Sequence, residues 1–572
     1  MKTVKMLLSL LLALTLAAGL LTGCGGDSTE ETKAPVNNDQ GNNTQSGGDQ
    51  SGESQTGTQT PTEPQYGGHM NVRLAASCTH LDPTQATGSW KLLFATCVYE
   101  NALTRDADNN IVPCVCDFAL SEDELDLKLW VREGYTFSNG DPVDIYDVEA
   151  SINRALTRYG NMNKYVKPNI GSIAVENDGE KDILHIQFSQ YSEKNMYYLA
   201  SYQTWCGIQP KEICEKYKSS YLVDTIEDAI GTGPYVFSDF QPNVQVTVSK
   251  RADYTPVDNS MYTGFGGTKY GYMDSITFWY NATDASACMA VLAGDYDVTE
   301  VIPTDYAAMA AEEGLVCTSM ISDQRTWIIF NTRGTENVCA KYPSLRKAIM
   351  AAIDYEVFLD IITDGSQIME GANSGFVIDP LYDTDAFTKQ DYYGPANQDV
   401  VDKYMAMAEA EGYTGQPVQL VFGSGRTDVI TLLADAMEEA DINYKTTQKE
   451  ANSYNKFIAD PSNNWDFYFA WNDTTYTPSL VKDALMWNNY ANDEKDVILA
   501  EMRTLDPTSE RYLELWNQLA NLTAEGCYLG FMSAIDWWWW HPAELNINND
   551  EGVGRYMYNA WWNDPENHPQ KQ

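Results

Sequence analysis

Histidine is scarce in this 572-residue chain: His69, His80, His185, His541 and His568 are the only five, and no two stand four residues apart. That spacing excludes the helical His-Glu-x-x-His motif of zinc hydrolases. A Gly-x-Ser-x-Gly elbow, a phosphate-binding loop and a dinucleotide fingerprint are missing too. Positive charge is short as well, with 37 Lys and Arg against 81 Asp and Glu and a formal net charge of −44. A face that grips nucleic acid or an anionic membrane needs clustered cations, so neither is expected as a partner. Beyond the amino-terminal segment no apolar run reaches the ~18–20 residues of a spanning helix. With so many carboxylates, pairs at glycosidase separation arise by chance and do not argue for an enzyme. Binding without chemistry is the expectation, with no catalytic residue, metal or cofactor.

Hydrophobic residues make up 43% and aromatic residues 12%, enough to fill the cores of two to four domains. Lys2 and Lys5 precede an apolar run over 6–21 that ends in Leu21-Thr22-Gly23-Cys24. This resembles the lipobox of bacterial lipoproteins, which implies a signal peptide over 1–23 and lipid on Cys24. Residues 25–65 are mainly Gly, Ser, Thr, Asn, Gln and acid, with Val36 the only branched aliphatic and no aromatic. Such a segment cannot bury enough apolar surface to offset its ordering entropy, so a disordered tether reaching about 35 Å is expected over 24–65. From Tyr66 the pattern is mixed α/β. Strands are expected at 70–74, 183–188, 235–237, 245–249, 276–280, 327–331, 418–422 and 467–471. Helices are expected at 147–158, 211–217, 285–293, 344–353, 355–361, 400–410, 429–439 and 511–525. Ten cysteines follow Cys24. Their number permits disulfides, but several sit in apolar runs, and unpaired packing residues are the expectation for most.

Residues 125–156 show one change of period. Leu125, Leu127, Leu129 and Val131 alternate with polar or amphipathic neighbours, as in a half-buried strand. Asn139-Gly140-Asp141-Pro142 breaks the pattern as a turn. Asp144, with Asp147 three residues on, can then cap a helix that aligns Val148, Ile152, Ala155 and Leu156 on one face.

That order of features, from the strand through Arg132–Phe137 and Ser138–Val143 to Asp147–Leu156, resembles bacterial extracellular solute-binding proteins of family 5. Further segments agree in order: His80-Leu81-Asp82-Pro83, Gly231-Thr232-Gly233-Pro234-Tyr235, Arg251-Ala252-Asp253-Tyr254, residues 292–298, Phe330-Asn331, residues 344–349 and Ala352-Ile353-Asp354. The resemblance implies a two-lobed α/β clamshell of the type II periplasmic-binding-protein kind, with an extra domain inserted in the first lobe. The expected division is 66–99, 221–320 and 535–572 for the base of lobe I, 100–220 for the inserted domain and 321–534 for lobe II. The chain would cross between lobes near 321 and 535. It would act outside the cytoplasmic membrane as a monomer, handing an oligopeptide to an ABC permease. An oligosaccharide receptor of the same fold, and an exported carboxylate-dependent hydrolase, are the alternatives.

Ligand contacts are expected where a strand ending in Trp471 opens into a polar loop, Asn472-Asp473-Thr474. The resemblance implies an Asp three residues after this Trp, to pair with a peptide α-ammonium; here Thr474 stands there and Asp473 precedes it. Trp90, placed in a loop after Pro83, Trp205 before Ile208, and Asn331 at the end of its strand complete the candidates. In Trp537-Trp538-Trp539-Trp540, an extended chain puts two indoles on each face, and at most one pair is expected to be buried.

Overall fold

The stretch 125–156 folds as its pattern predicts. Strand Asp126–Val131 buries Leu127 and Leu129, and helix Ile145–Arg158 buries Val148, Ile152, Ala155 and Leu156. Asp144 accepts from the N–H groups of Tyr146 (2.8 Å) and Asp147 (3.1 Å), while the Asp147 carboxylate accepts from Asp144 N (3.0 Å). This reciprocal cap satisfies N–H groups that a helix start leaves without intrahelical partners. The structure, a computed structural model, describes residues 63–569 apart from 75–76, 86–88, 202, 219–220, 281–282, 300–303, 335, 356, 359–383, 424–426, 474–488 and 548–555. The expected signal peptide, Cys24, most of the expected tether and Thr474 lie outside the described residues.

The chain opens with β1 (His69–Leu74) and a hairpin of β2 (Leu103–Arg105) and β3 (Ile111–Pro113). Next come β4 (Cys116–Leu120), β5 (Asp126–Val131), β6 (Ile170–Asn177) and β7 (Asp182–Phe188), an antiparallel sheet of order β4-β5-β7-β6. Its inner face and helix Ile145–Arg158 share a core whose buried members run from Ala102 to Ile208, with Ile230 and Val257 packed against it. The chain then returns to β1 with β8 (Tyr235–Gln241), β9 (Gln245–Lys250) and β10 (Ser275–Tyr280), in the order β1-β10-β9-β8. β10 runs parallel to β1, and the remaining neighbours are antiparallel. The core of this sheet includes Trp539, Tyr558 and Trp562, so the carboxyl-terminal tail packs beside the first strand.

A third sheet comprises β11 (Leu315–Phe330), β12 (Val418–Gly423), β13 (Tyr444–Lys449), β14 (Phe467–Asp473) and β15 (Leu529–Pro542), ordered β13-β12-β14-β11-β15. β12, β13 and β14 are parallel, whereas β11 runs antiparallel to β14 and β15. Two apolar clusters, drawn from residues between Trp327 and Leu529, flank this sheet. A short pair of β16 (Leu545–Asn546) and β17 (Trp561–Trp562) closes the chain.

Both members of the β11–β15 pair are far longer than the other strands, and isolated bridges tie one end of β15 to the first sheet. At one end Thr299 bridges Trp540 and Val298 bridges Val72 of β1, so this end of β15 meets the first sheet. At the other end β11 pairs with β14 from Gln324↔Asp473 to Phe330↔Phe467. Between the two ends the register slips: Met320 faces Trp537 and Gln324 faces Ile535, leaving residues 321–323 opposite Asp536. Such a bulge locally breaks the ladder and bends the strand.

None of the ten cysteines from Cys78 to Cys527 is in a disulfide, and every one but Cys317 is buried. Trp539 and Trp540 are 0% and 8% exposed although they point to opposite faces of β15. One indole of each pair is thus buried, and the side chains of Trp537 and Trp538 lie outside those described. Trp539 enters the first sheet's core, while Trp540 packs with Cys288 and Ala310 beneath helices Asp284–Leu292 and Thr304–Glu312.

Candidate functional site

In open α/β sheets the loops beyond the carboxyl ends of parallel strands form the ligand crevice, because helix starts and loop backbone gather there. In the third sheet these ends are Gly423, Lys449 and Asp473; in the first sheet they are Leu74 and Tyr280. Trp471, Asn472 and Asp473 therefore occupy the last rungs of β14, paired with Thr326, Arg325 and Gln324. Gln324 is also the first residue of β11 beyond the register slip. The carboxyl end of β14 thus lies beside the register slip of the β11–β15 pair.

The other candidates do not gather there. Asn331 follows the opposite end of β11 and is fully buried. Its carboxamide donates to Pro461 O (2.9 Å) and Trp465 O (3.1 Å) and accepts from Gly334 N (3.2 Å). Six rungs separate Gln324 from Phe330, or about 20 Å at strand rise, so Asn331 is a structural knot remote from Asp473. Beside it Asp466 accepts from Cys339 N (2.8 Å) and Gln419 N (2.7 Å). Burial raises the Asp466 carboxyl above its ordinary range, and these N–H groups only partly offset it.

Trp205 is 6% exposed in a 3-10 turn, Thr204–Cys206, and stacks on Tyr159 at 4.2 Å with 20° between the rings. It belongs to the core beneath β4–β7. Trp90 stands in helix Ser89–Val98 rather than in a loop. That helix, Ser-Trp-Lys-Leu-Leu-Phe-Ala-Thr-Cys-Val, is apolar nearly all round, so no amphipathic stripe marks it in the sequence. Sequence reasoning also passed over Asp323 and Asp536, the acids at the register slip. Each interrupts an otherwise strand-like run, and that interruption was the available signal.

The residues of the quoted motifs meet one another instead of a crevice. Asp82 pairs with Arg154 of helix Ile145–Arg158 at 3.1 and 2.5 Å, both side chains almost wholly buried. Arg251 donates to Thr136 O, Phe137 O, Thr232 O and Gly233 O, joining three motifs through one guanidinium. A Cβ on Gly231 or Gly233 would collide with the carbonyl oxygen of Val98 or Cys97, so only glycine permits that approach. Arg346 donates to Cys339 O, Gly526 O and Cys527 O.

The chain matches the family described as bacterial extracellular solute-binding proteins, family 5, middle region, over residues 110–495. Among curated proteins it resembles the glutathione-binding protein GsiB of Salmonella paratyphi A, 24% identical over 301 residues. That match covers 51% of this chain and 54% of the relative, so the chain spans about half the length of the curated relatives it matches. Among solved structures it resembles the dipeptide-binding protein of Pseudoalteromonas sp. SM9913 in complex with Met-Leu, with TM-score 0.69 and 14% identity, covering 86% of this chain and 100% of that one. NikA of Staphylococcus aureus in complex with Ni(L-His)2 gives TM-score 0.66 at 16% identity, covering 86% and 100%.

Proposed function

This chain belongs to the bacterial extracellular solute-binding proteins of family 5, and from that premise we propose that it captures oligopeptides for an ABC importer. Two lobes, 66–320 with 535–572 and 321–534, would close over the peptide, the domain at 100–220 being an insertion in the first. The observation that carries this reading is the β11–β15 pair, which reaches from the third sheet to a bridge with the first and whose register slips beside the carboxyl end of β14. A pair of strands is a compliant connection, and a bulge concentrates bending where the ladder is already interrupted. Ligand touching both sides of such a joint shifts the population towards the closed form.

Trp471, Asn472, Asp473 and Thr474 would line the pocket, with Asp473 receiving the peptide α-ammonium and Trp471 an apolar side chain. A buried ammonium without a partner costs several kcal/mol, which is why a carboxylate is needed there. Asp473→Asn should then weaken oligopeptide binding by about 2–5 kcal/mol in calorimetric titration, with Trp471→Ala a smaller loss. A neutral sugar reverses that order, since Asp473→Asn would then forfeit about 1 kcal/mol. Unchanged affinity in both variants would remove this loop from the site.

The lipobox-like Leu21-Thr22-Gly23-Cys24 supports anchoring of the mature chain to the outer face of the cytoplasmic membrane. Cys24→Ala should release the exported protein into the soluble fraction. A variant still in the membrane fraction and carrying labelled fatty acid would refute the anchor.

A further inference from the structure

Helix Ile145–Arg158, which covers β4–β7, and the short helix Lys211–Lys216 enclose a pocket of about 590 Å³. The two helices run side by side in parallel. Lys211 N donates to the Asp147 carboxylate (2.8 Å), Cys214 Sγ lies 3.5 Å from Ser151 Oγ, and Arg154 Nε donates to Tyr217 O (3.2 Å). That register fixes the order of side chains along the groove. Tyr146 and Lys211 stand at one end, with Lys211 Nζ 5.6 Å from the ring centroid. Glu149 and Glu215 follow from opposite helices, beside Ala150 and Cys214. Arg154 and Lys218 close the other end. No residue of the third sheet lines this pocket, so it is separate from the carboxyl end of β14.

A second observation points to an occupant. Gln209 is 1% exposed and its Oε1 accepts from Arg154 Nη1 (3.2 Å), yet its Nε2 has no hydrogen-bond partner among the described residues. A buried amide N–H without an acceptor costs free energy, and a ligand oxygen entering beside Arg154 would supply one. Asp82 already neutralises Arg154, so Lys218 is the cation that draws an anion to this end. One helical turn back along the groove, about 5 Å, the carboxylates of Glu149 and Glu215 offer a place for an ammonium. The volume falls within the roughly 300–1,000 Å³ of small-molecule sites. We propose that this pocket is a second solute site and takes a compact zwitterion, an α-amino acid. Its carboxylate points towards Lys218 and Gln209, its ammonium lies between Glu149 and Glu215, and an apolar side chain runs over Ala150 towards Tyr146.

The test titrates L-leucine into the full mature protein by calorimetry. Leucine should bind saturably. 3-Methylbutylamine and 4-methylpentanoate, which keep its side chain but lack one charge each, should bind at least tenfold more weakly. Glu215→Gln and Lys218→Gln, both at exposed positions, should each weaken leucine several-fold. Ala150→Trp puts an indole into the pocket and should abolish leucine binding, with the fold of every variant checked by circular dichroism. A panel of tripeptides is titrated alongside, and their affinity should survive Ala150→Trp. If no tripeptide binds but leucine follows the pattern above, the oligopeptide reading falls and this pocket stands. Absence of saturable leucine binding, equal binding of either single-charge analogue, or unchanged leucine affinity in folded Glu215→Gln and Lys218→Gln overturns the inference. So does leucine binding retained in folded Ala150→Trp, or tripeptide affinity lost there together with that of leucine.

Discussion

At the scale of single residues, the most recognisable side chains hold the scaffold together. Asp82 shows how. Burial alone would raise its carboxyl, but Arg154, Thr84 and the Val223 N–H more than offset this and hold it below the ordinary value. A carboxyl lowered by folding contributes stability that is fully present above its unfolded value of about 4, and that stability is lost as pH falls through the lower folded value. Asp82→Ala leaves Arg154, 4% exposed, without its carboxylate. Removing one partner of a buried pair costs about 3–5 kcal/mol, so the variant should unfold at markedly lower urea at pH 7. Its stability should also fall less steeply below pH 4 than that of the wild type. Equal midpoints at pH 7 would show that the pair contributes no net stability.

At the scale of elements, legibility followed the uniformity of each strand's surroundings. β5 alternates because one face meets a core and the other water, and Leu420–Phe422 of β12 and the start of β14 are apolar runs because both faces are covered. These were readable. β11 and β15 were not readable at full length, since a register slip interrupts their ladder midway. Residues 315–326 mix apolar, hydroxyl and charged side chains with no single period. The fourfold Trp run defeated periodicity differently: Trp539 and Trp540 are both buried because helices and a sheet core cover opposite faces of one strand. Trp205 misled as a site candidate because an indole before a turn reads alike in a pocket and in a core. The candidate loop was named from Trp471 and Asp473 in the sequence, whereas its place beside the register slip of β11 became visible only through strand pairing.

At the scale of the whole molecule, no helix among the described residues is long and apolar enough to cross a membrane. Three sheets with separate cores are joined so that the third meets the first through β11 and β15. The account's central claim is that this joint closes two lobes over a solute. Small-angle X-ray scattering of the mature protein, with and without a saturating concentration of the tightest-binding tripeptide, tests it directly. The account predicts a smaller radius of gyration with the peptide bound. An unchanged scattering profile at confirmed saturation would contradict it.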